Sequence, residues 1–332
     1  MSASASTGPG CAVRAPRTGA TVAGFLVRRA AGLVVVLLAL SVVTFALAQL
    51  APGDPARAVA VDRIGDAATA ADIEAVRAEL GLDGPVAEQY LRFLGNALTG
   101  DLGQSYRTGQ PVTSELAGRV PVTLGLASLG GGLGVALGLA LGLASVRARG
   151  RFVRGVLRTV GLTASAVPPF WLGYLLVLYL ALTLGLVPTG GMAGPSTWLL
   201  PTVVLALPLA GVLSRVVAVT VADALAAPHI QAAVARGASP RRILLREALP
   251  NAAGPVLTVA GFTVAGLLVG TVIVEQIFGW PGVGDYFAQA VAARDLPALQ
   301  GGVAYFGFAI VAANAAADAL HGLVDPRVRS VR

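Results

Sequence analysis

Lysine is absent from all 332 residues of this sequence, so its 24 basic residues are all arginine. A P-loop needs its lysine to reach the β- and γ-phosphates of a nucleotide. The chain therefore cannot hold an ordinary Walker A site. Enzymes that form a Schiff base through lysine are excluded for the same reason.

Cysteine and histidine are nearly absent as well. Cys11 is the only cysteine, which excludes an intrachain disulfide and a cysteine-based metal site. His229 and His321 are the only histidines and lie far apart in the sequence, so a histidine-lined metal pathway has little support. We predict that this chain binds no metal and no cofactor of its own.

Charge is also scarce, at 12% of residues, whereas 55% are hydrophobic and the mean hydropathy is +0.76. Soluble domains carry about 25% charged residues. The composition therefore indicates a membrane protein.

Six apolar segments are long enough to cross a membrane, because a spanning helix needs about 20 apolar residues. The uncharged stretch 159–214 is too long for one helix, and the prolines and glycines of 187–198 divide it. We predict an all-α integral membrane protein with six transmembrane helices, at 28–50 and at about 120–146, 159–186, 198–220, 251–275 and 298–320.

The first apolar run could instead be a secretory signal, because Arg28 and Arg29 precede it. It is longer than a usual signal core, however, and residues 49–52 offer no cleavage site of the small-x-small type. We interpret it as a retained span.

The arginines predict the orientation, because loops rich in arginine remain in the cytoplasm. Sixteen of the 24 fall in four places: in or beside the leader 1–27, in the 145–158 loop, in the 221–250 loop and in the tail 324–332. All four lie on one side of a six-span chain. We predict a bacterial plasma (inner) membrane protein with both termini in the cytoplasm.

Residues 51–119 form the only sizeable segment outside the predicted spans, on the opposite side from the termini. A capping box from Thr69 to Asp72 opens one short helix, and apolar residues at helical spacing predict a second over 85–98. These helices either rest on the membrane domain, which we favour, or form a docking surface for a soluble extracytoplasmic partner.

Four glycines recur at every fourth position of the second span: Gly130, Gly134, Gly138 and Gly142. Small residues at this spacing let two helices approach closely in lipid. We predict that these glycines form a packing seam.

The third span contains Pro168 and Pro169, followed by Trp171. A helix must kink or begin again at such a pair, and irregular backbone at membrane depth is tolerated only where protein buries it or water reaches it. A lining of a transport pathway and a plain kink are both open.

Trp198 and Trp280 lie near the predicted outer interface, where aromatic belts are common. Glu275 closes the fifth span, and Asp223 and Asp318 also lie near span ends. Water relieves the cost of a charge at such positions, so we expect these acids to anchor the helices at the interface. Glu275 is the one that we also retain as a candidate pathway or packing residue.

The segment 231–251, "QAAVARGASPRRILLREALPN", carries four arginines between two apolar spans. Gly237 suits a left-handed helix end, Ser239 an N-cap and Pro240 a first helical position. We expect Pro250 to end the second helix or to bend it. The residues alone allow a basic helix on the membrane surface or an element that a partner protein grips.

This segment resembles the EAA loop of permease subunits in binding-protein-dependent ABC importers, whose pattern is Glu-Ala-Ala, three residues, Gly, nine residues and Ile-x-Leu-Pro. Gln231 replaces the glutamate and Glu247 the isoleucine. The positions that match are Ala232, Ala233, Gly237, Leu249 and Pro250.

Five further fragments follow the same family in order: "LAPGDPA" (50–56), "LGNALTGDLGQSY" (94–106), "PPFWLG" (168–173), "VEQIFGWPGVG" (274–284) and "DPRVR" (325–329). Together they resemble the first permease of the dipeptide, oligopeptide and nickel importers, the dipeptide-permease B type. The resemblance implies a type I ABC importer permease fold over 117–323.

The resemblance also implies partners: a homologous second permease, two cytoplasmic ATPases that bind ATP and Mg, and an extracytoplasmic substrate-binding protein. Residues 229–241 would form the coupling helix within the 221–250 loop. The residues implied in ATPase coupling are Gln231, Ala232, Ala233, Gly237, Ala238, Ser239, Pro240, Arg241, Arg242, Leu249 and Pro250.

Di- or oligopeptides are the cargo that the resemblance favours, with nickel chelates or another small solute as the alternative. A stand-alone carrier predicts inverted repeats or charges that line the spans, and the sequence shows neither. An intramembrane enzyme would need a serine–histidine pair or a metal site at depth, whereas both histidines fall at predicted span ends.

Overall fold

The computed structural model describes residues 22–50, 53–65 and 67–324, so most of the leader and the tail after 324 lie outside the described residues. The protein is all-α: the described ranges contain one isolated β-bridge, between Gln104 and Pro111, and no longer strand. The helices are α1 (Val22–Leu50), α2 (Pro55–Ile64), α3 (Ala70–Glu79), α4 (Val86–Leu98), α5 (Val112–Arg147), α6 (Arg151–Ala166), α7 (Pro169–Leu176), α8 (Leu199–Ala226), α9 (Pro228–Ala235), α10 (Pro240–Arg242), α11 (Leu249–Phe278), α12 (Val283–Ala293) and α13 (Leu296–Val324).

Three segments extend these helices. A π-helix (Val177–Thr183) continues α7, a 3₁₀ turn (Pro195–Trp198) leads into α8, and a π-helix (Ile243–Ala248) joins α10 to α11.

Among the described residues, four stretches are long and apolar enough to cross a membrane: Val112–Arg147, Pro195–Ala226, Pro240–Phe278 and Leu296–Ala319. The pair Arg151–Ala166 and Pro169–Thr183 makes a fifth only if it counts as one broken span, because it bends by 99°. In the described part of α1, the apolar stretch Ala31–Leu47 is shorter than these. Six continuous spans are therefore not confirmed.

The break in the third span has a local cause. α6 ends at Ala166, Val167 and Pro168 are extended, and α7 begins with Pro169 as its first residue. Proline has no N–H to donate and clashes with the preceding turn of a helix. The chain therefore begins a new helix at this point, as the pair of prolines predicted.

The α5–α8 interface is built on glycine. A β-carbon added at any of the four predicted seam glycines would lie 2.6–2.8 Å from a side-chain atom of α8, closer than van der Waals contact allows. The opposing pairs are Gly130 with Leu205, Gly134 with Leu209, Gly138 with Leu213 and Gly142 with Val217. Facing positions recur every four residues on both helices, which is the ridge spacing of close helix packing.

The core of the membrane domain lies between α5, α8 and α11, where Leu126, Val204 and Val274 are fully buried. Trp280 is also fully buried there, with its ring edge against Trp198 at 4.4 Å between centroids. The expectation that Trp280 belongs to an interfacial belt is therefore wrong. The loop after α11 folds back into the core and carries this side chain with it.

The segment between α1 and α5 contains α2, α3 and α4, of which α4 contacts α1. Thr69 and Asp72 form the predicted capping box. The Tyr90 ring of α4 packs at a tilt against Phe45 of α1, with 5.3 Å between ring centroids, and its hydroxyl lies 2.9 Å from the Ser41 hydroxyl. These contacts tie the segment to the end of α1.

Candidate functional site

The 221–250 loop is anchored at its start by a sharp turn out of α8. Ala227 is extended, with ψ of 147°, and Pro228 opens α9 as its first residue. Ile230 and Ala233 are the buried residues of α9. One face of this short helix is therefore fixed to the protein and the other is free.

Gly237 makes the turn between the two short helices, with φ of +78°, a backbone conformation that favours glycine. Its N–H donates to the Val234 carbonyl at 2.9 Å, and that of Ala238 donates to the Ala233 carbonyl at 3.1 Å. No neighbouring atom lies within 4 Å of the position that a β-carbon would take. Two backbone hydrogen bonds therefore close the turn, and the space beside the Gly237 α-carbon is unoccupied.

The second half of the loop begins with the predicted N-cap. The Ser239 hydroxyl accepts from the Arg242 N–H at 3.4 Å, and Pro240 is the first helical residue. From Pro240 the helix runs without a break to Phe278. The loop is therefore continuous with a helix of the membrane domain.

Pro250 does not end this helix, so that part of the expectation is wrong. It lies in the first turn of α11, directly after the π-helix Ile243–Ala248. The wider π turns change the hydrogen-bond register locally, and they can thus accommodate a residue that has no N–H. The helix therefore continues through Pro250, with a change of hydrogen-bond register in the turn before it.

The inner face of the loop packs on α8. Leu244 and Ala248 are buried with Leu213, Val217 and Val221 of that helix. Because the loop packs on α8 and continues into α11, it links two of the helices that enclose the core.

The predicted coupling residues divide by exposure. Ala233 is buried, and Ala238 and Leu249 are half-buried. The remaining eight are exposed: Gln231, Ala232, Gly237, Ser239, Pro240, Arg241, Arg242 and Pro250. An uncovered surface of arginine and small residues thus surrounds the turn.

A groove of about 550 Å³ lies beside this surface, between the loop and the end of α5. Its walls are largely apolar, with Val146, Val234 and Leu244, and Arg147 and Arg241 also line it. Sequence reasoning missed Arg147, because nothing in the spacing of residues 147 and 241 shows that the two arginines share a groove.

Glu275 is fully buried, so the expectation that it anchors the helix at the interface is wrong. The Thr123 hydroxyl of α5 donates to one carboxylate oxygen at 2.7 Å, and the Asp285 N–H donates to the other at 3.0 Å. The same hydroxyl accepts from the Val283 N–H at 2.9 Å. Glu275 therefore joins the end of α11 to α5 and to the start of α12.

Two glycines make room for this carboxylate. A β-carbon at Gly282 would lie 2.3 Å from the Glu275 carboxylate, and one at Gly284 would lie 2.5 Å from the Val272 α-carbon. The sequence contains this signal as "GWPGVG", but it does not show which side chain the glycines admit. No feature of the sequence around Thr123 predicts its hydrogen bond to Glu275.

Pro168, Pro169 and Trp171 lie apart from the loop, at the break between α6 and α7. Trp171 is half exposed, and Gly173 packs against Ile277 of α11. The break therefore contacts α11 beside Glu275, while Trp171 faces outward.

Two family descriptions match this chain. Residues 134–330 match the binding-protein-dependent transport system inner membrane component, and residues 22–127 match the amino-terminal region of such membrane components. The two matches leave only residues 128–133 uncovered between them.

Named relatives extend over nearly the whole chain. A Brucella abortus protein with the provisional name peptide transport system permease protein is 36% identical over 312 residues, which is 92% of this chain and 98% of that protein. The glutathione transport system permease protein GsiC of Escherichia coli is 33% identical over 305 residues, with the same two shares.

The fold resembles a solved one. A chain of the MetNI methionine ABC transporter, in an inward-facing conformation, superposes with a TM-score of 0.52 at 19% identity. The match covers 63% of this chain and 96% of that one. At this identity the likeness shows the type I importer permease fold and nothing about the substrate.

Proposed function

This chain belongs to the inner-membrane components of binding-protein-dependent transport systems, and we propose that its cargo is a di- or oligopeptide. It is a multi-pass inner-membrane protein and a transporter permease subunit. Relatives named for peptide and for glutathione transport support a short peptide as the cargo. Glutathione is itself a tripeptide.

The proposed assembly has four further components. A homologous second permease completes the pathway, two ATPases on the side of the termini bind ATP and Mg, and a binding protein delivers the peptide to the opposite side. The lack of lysine supports ATP sites in other chains, because the nucleotide lysine must come from elsewhere. The arginine distribution supports cytoplasmic termini.

The proposed coupling to the ATPases is supported by one observation. The exposed turn at Gly237 directly precedes a helix that is unbroken from Pro240 to Phe278. An ATPase that grips α9 and α10 would move them when it closes on ATP. The buried residues Leu244 and Ala248 would pass this motion to α8. Glu275, near the far end of the same helix, would pass it to α5 and α12.

Uptake by the reconstituted transporter tests the cargo. The permease pair, the ATPases and the binding protein in liposomes should accumulate a labelled di- or tripeptide in the presence of external binding protein and internal ATP. Free amino acids and nickel chelates should accumulate at background rates. Accumulation of a nickel chelate with no uptake of any peptide would contradict the proposed cargo.

A further inference from the structure

A cavity of about 430 Å³ lies at the end of α1 that adjoins segment 51–119. Leu47 of α1, Val291 of α12, and Leu299 and Val303 of α13 line its apolar part. Ligand sites in proteins have volumes of about 300–1,000 Å³, mostly apolar walls and a few convergent polar groups. This cavity has that form, and the coupling proposed above does not involve it.

Residues of α1 and α13 face each other across the cavity. Deeper in the membrane the two helices touch, because Leu37 and Leu40 of α1 pack against Gly307, where a β-carbon would lie 2.8 Å from Leu37. Toward residue 50, Thr44 of α1 and Val303 of α13 both line the cavity. Apolar residues of α1 and α13, Leu47, Leu299 and Val303, line this crevice.

Arg294 places a positive charge in the cavity. It is the only non-glycine residue with a positive φ in the described ranges, at +57°. Gly53 has no side chain, and the Arg294 guanidinium occupies the place where a β-carbon of Gly53 would lie. The positive φ of Arg294 and the missing side chain of Gly53 together allow this position of the guanidinium.

The charge of Arg294 is not compensated within residues 22–50, 53–65 and 67–324, where no carboxylate forms an ion pair with it. The second arginine of the cavity, Arg77, forms ion pairs with Asp54 and Glu74. The adjacent Asp295 is buried and accepts from the Ser105 hydroxyl and the Ala298 N–H. The cavity therefore contains one arginine, Arg294, without an ion pair among the described residues, and the buried carboxylate of Asp295 lies near its polar end.

Two polar groups accompany Arg294. Burial and the nearby charge of Asp295 raise the pKa of Tyr106 to about 12, so its phenol remains a neutral donor at physiological pH. The Gln89 amide nitrogen is held by the carbonyls of Leu82 and Gly84, so its position in the wall is fixed. A guanidinium and a phenol in the wall of one cavity suit the oxygens of a phosphate.

We propose that this cavity binds an anionic phospholipid of the leaflet on the side of segment 51–119, with its phosphate on Arg294 and Tyr106. One acyl chain would lie along Leu299 and Val303 of the crevice. A lipid fits better than a water-soluble anion because α1 exposes apolar side chains beside the opening, Val43 at 53% and Leu47 at 62%. The site does not depend on the identity of the cargo.

Native mass spectrometry of the full-length chain, delipidated and then mixed with single lipids, tests the site. Wild-type protein should retain phosphatidylglycerol about fivefold more than zwitterionic phosphatidylethanolamine, as expected for one arginine at an anionic surface. Arg294→Asn should abolish the preference and still fold, because asparagine tolerates the left-handed conformation. Arg294→Lys should keep most of it.

Arg57→Gln is the matched control, because Arg57 is exposed on α2 and does not line the cavity. It should retain phosphatidylglycerol as wild type does. Equal retention of the two lipids by wild type, or equal loss of the preference in the Arg57 and Arg294 variants, would overturn the proposal. Displacement of the lipid by a dipeptide or by inorganic phosphate would also overturn it, because the site would then belong to a soluble anion.

Discussion

At the scale of single residues, the α5–α8 seam depends on the absence of one methyl group at each crossing. Gly134 lies under Leu209 and against the Ala206 carbonyl, where a β-carbon would meet atoms at 2.7 and 2.9 Å. Overpacking of this kind costs about 1–3 kcal/mol. Backbone atoms form part of the contact, so the neighbours cannot simply rotate away.

Gly134→Ala should therefore lower the free energy of unfolding by about 1–3 kcal/mol. Gly132→Ala on the same helix is the control, because no atom lies within 4 Å of the β-carbon that it adds. This control should be neutral or slightly stabilising, since alanine favours a helix more than glycine does. Thermal unfolding of the purified variants in one detergent measures both, and equal midpoints would show that the seam is not tightly packed.

The Glu275 network shows what single residues do not reveal in sequence. Thr123 and Glu275 are 152 positions apart, and no periodicity links them. A carboxylate at the end of an apolar run is most simply assigned to the interface, because charge is costly inside the membrane. The loop after α11 folds back over Glu275 and supplies backbone N–H groups, and this tertiary contact overrides the local pattern.

At the scale of elements, the local sequence predicted those helices and turns whose structure depends mainly on their own residues. Uncharged runs of about 20 residues predicted four of the spanning helices, and Ser239, Pro240 and Gly237 predicted the turn of the loop. Pro250 did not end its helix, because the π-helix before it absorbs the missing hydrogen bond. The composition of one segment does not predict such a compensation.

The turn at Gly237 gives a prediction about coupling. Gly237→Asp adds a negative charge to the exposed arginine surface and should abolish peptide uptake, while the protein remains in the membrane. Gly237→Asn is the matched control, because it has nearly the same size and tolerates the left-handed conformation without a charge. It should retain most of the uptake.

Uptake in cells, normalised to the amount of permease in isolated membranes, measures both variants. If the aspartate variant transports as well as the asparagine variant, charge at the turn is unimportant and the loop is not a protein-docking surface.

At the scale of the whole molecule, one continuous helix from Pro240 to Phe278 connects the exposed loop to the buried Glu275. The ends of this element meet different neighbours: Leu244 packs on α8, and Glu275 bonds to α5 and to the start of α12. The helix therefore contacts both α8 near its start and α5 and α12 near its end, as the proposed coupling requires. This arrangement follows from the three-dimensional contacts, which no single segment of the sequence contains.

The most direct test of this account is whether the loop touches an ATPase. A photoreactive phenylalanine analogue at Ala232, which is exposed on α9, should cross-link to the ATPase subunit in the assembled transporter. The same analogue at Phe308, which is 56% exposed on α13, should not. Adducts of Ala232 with lipid alone, in a complex that hydrolyses ATP, would contradict the account.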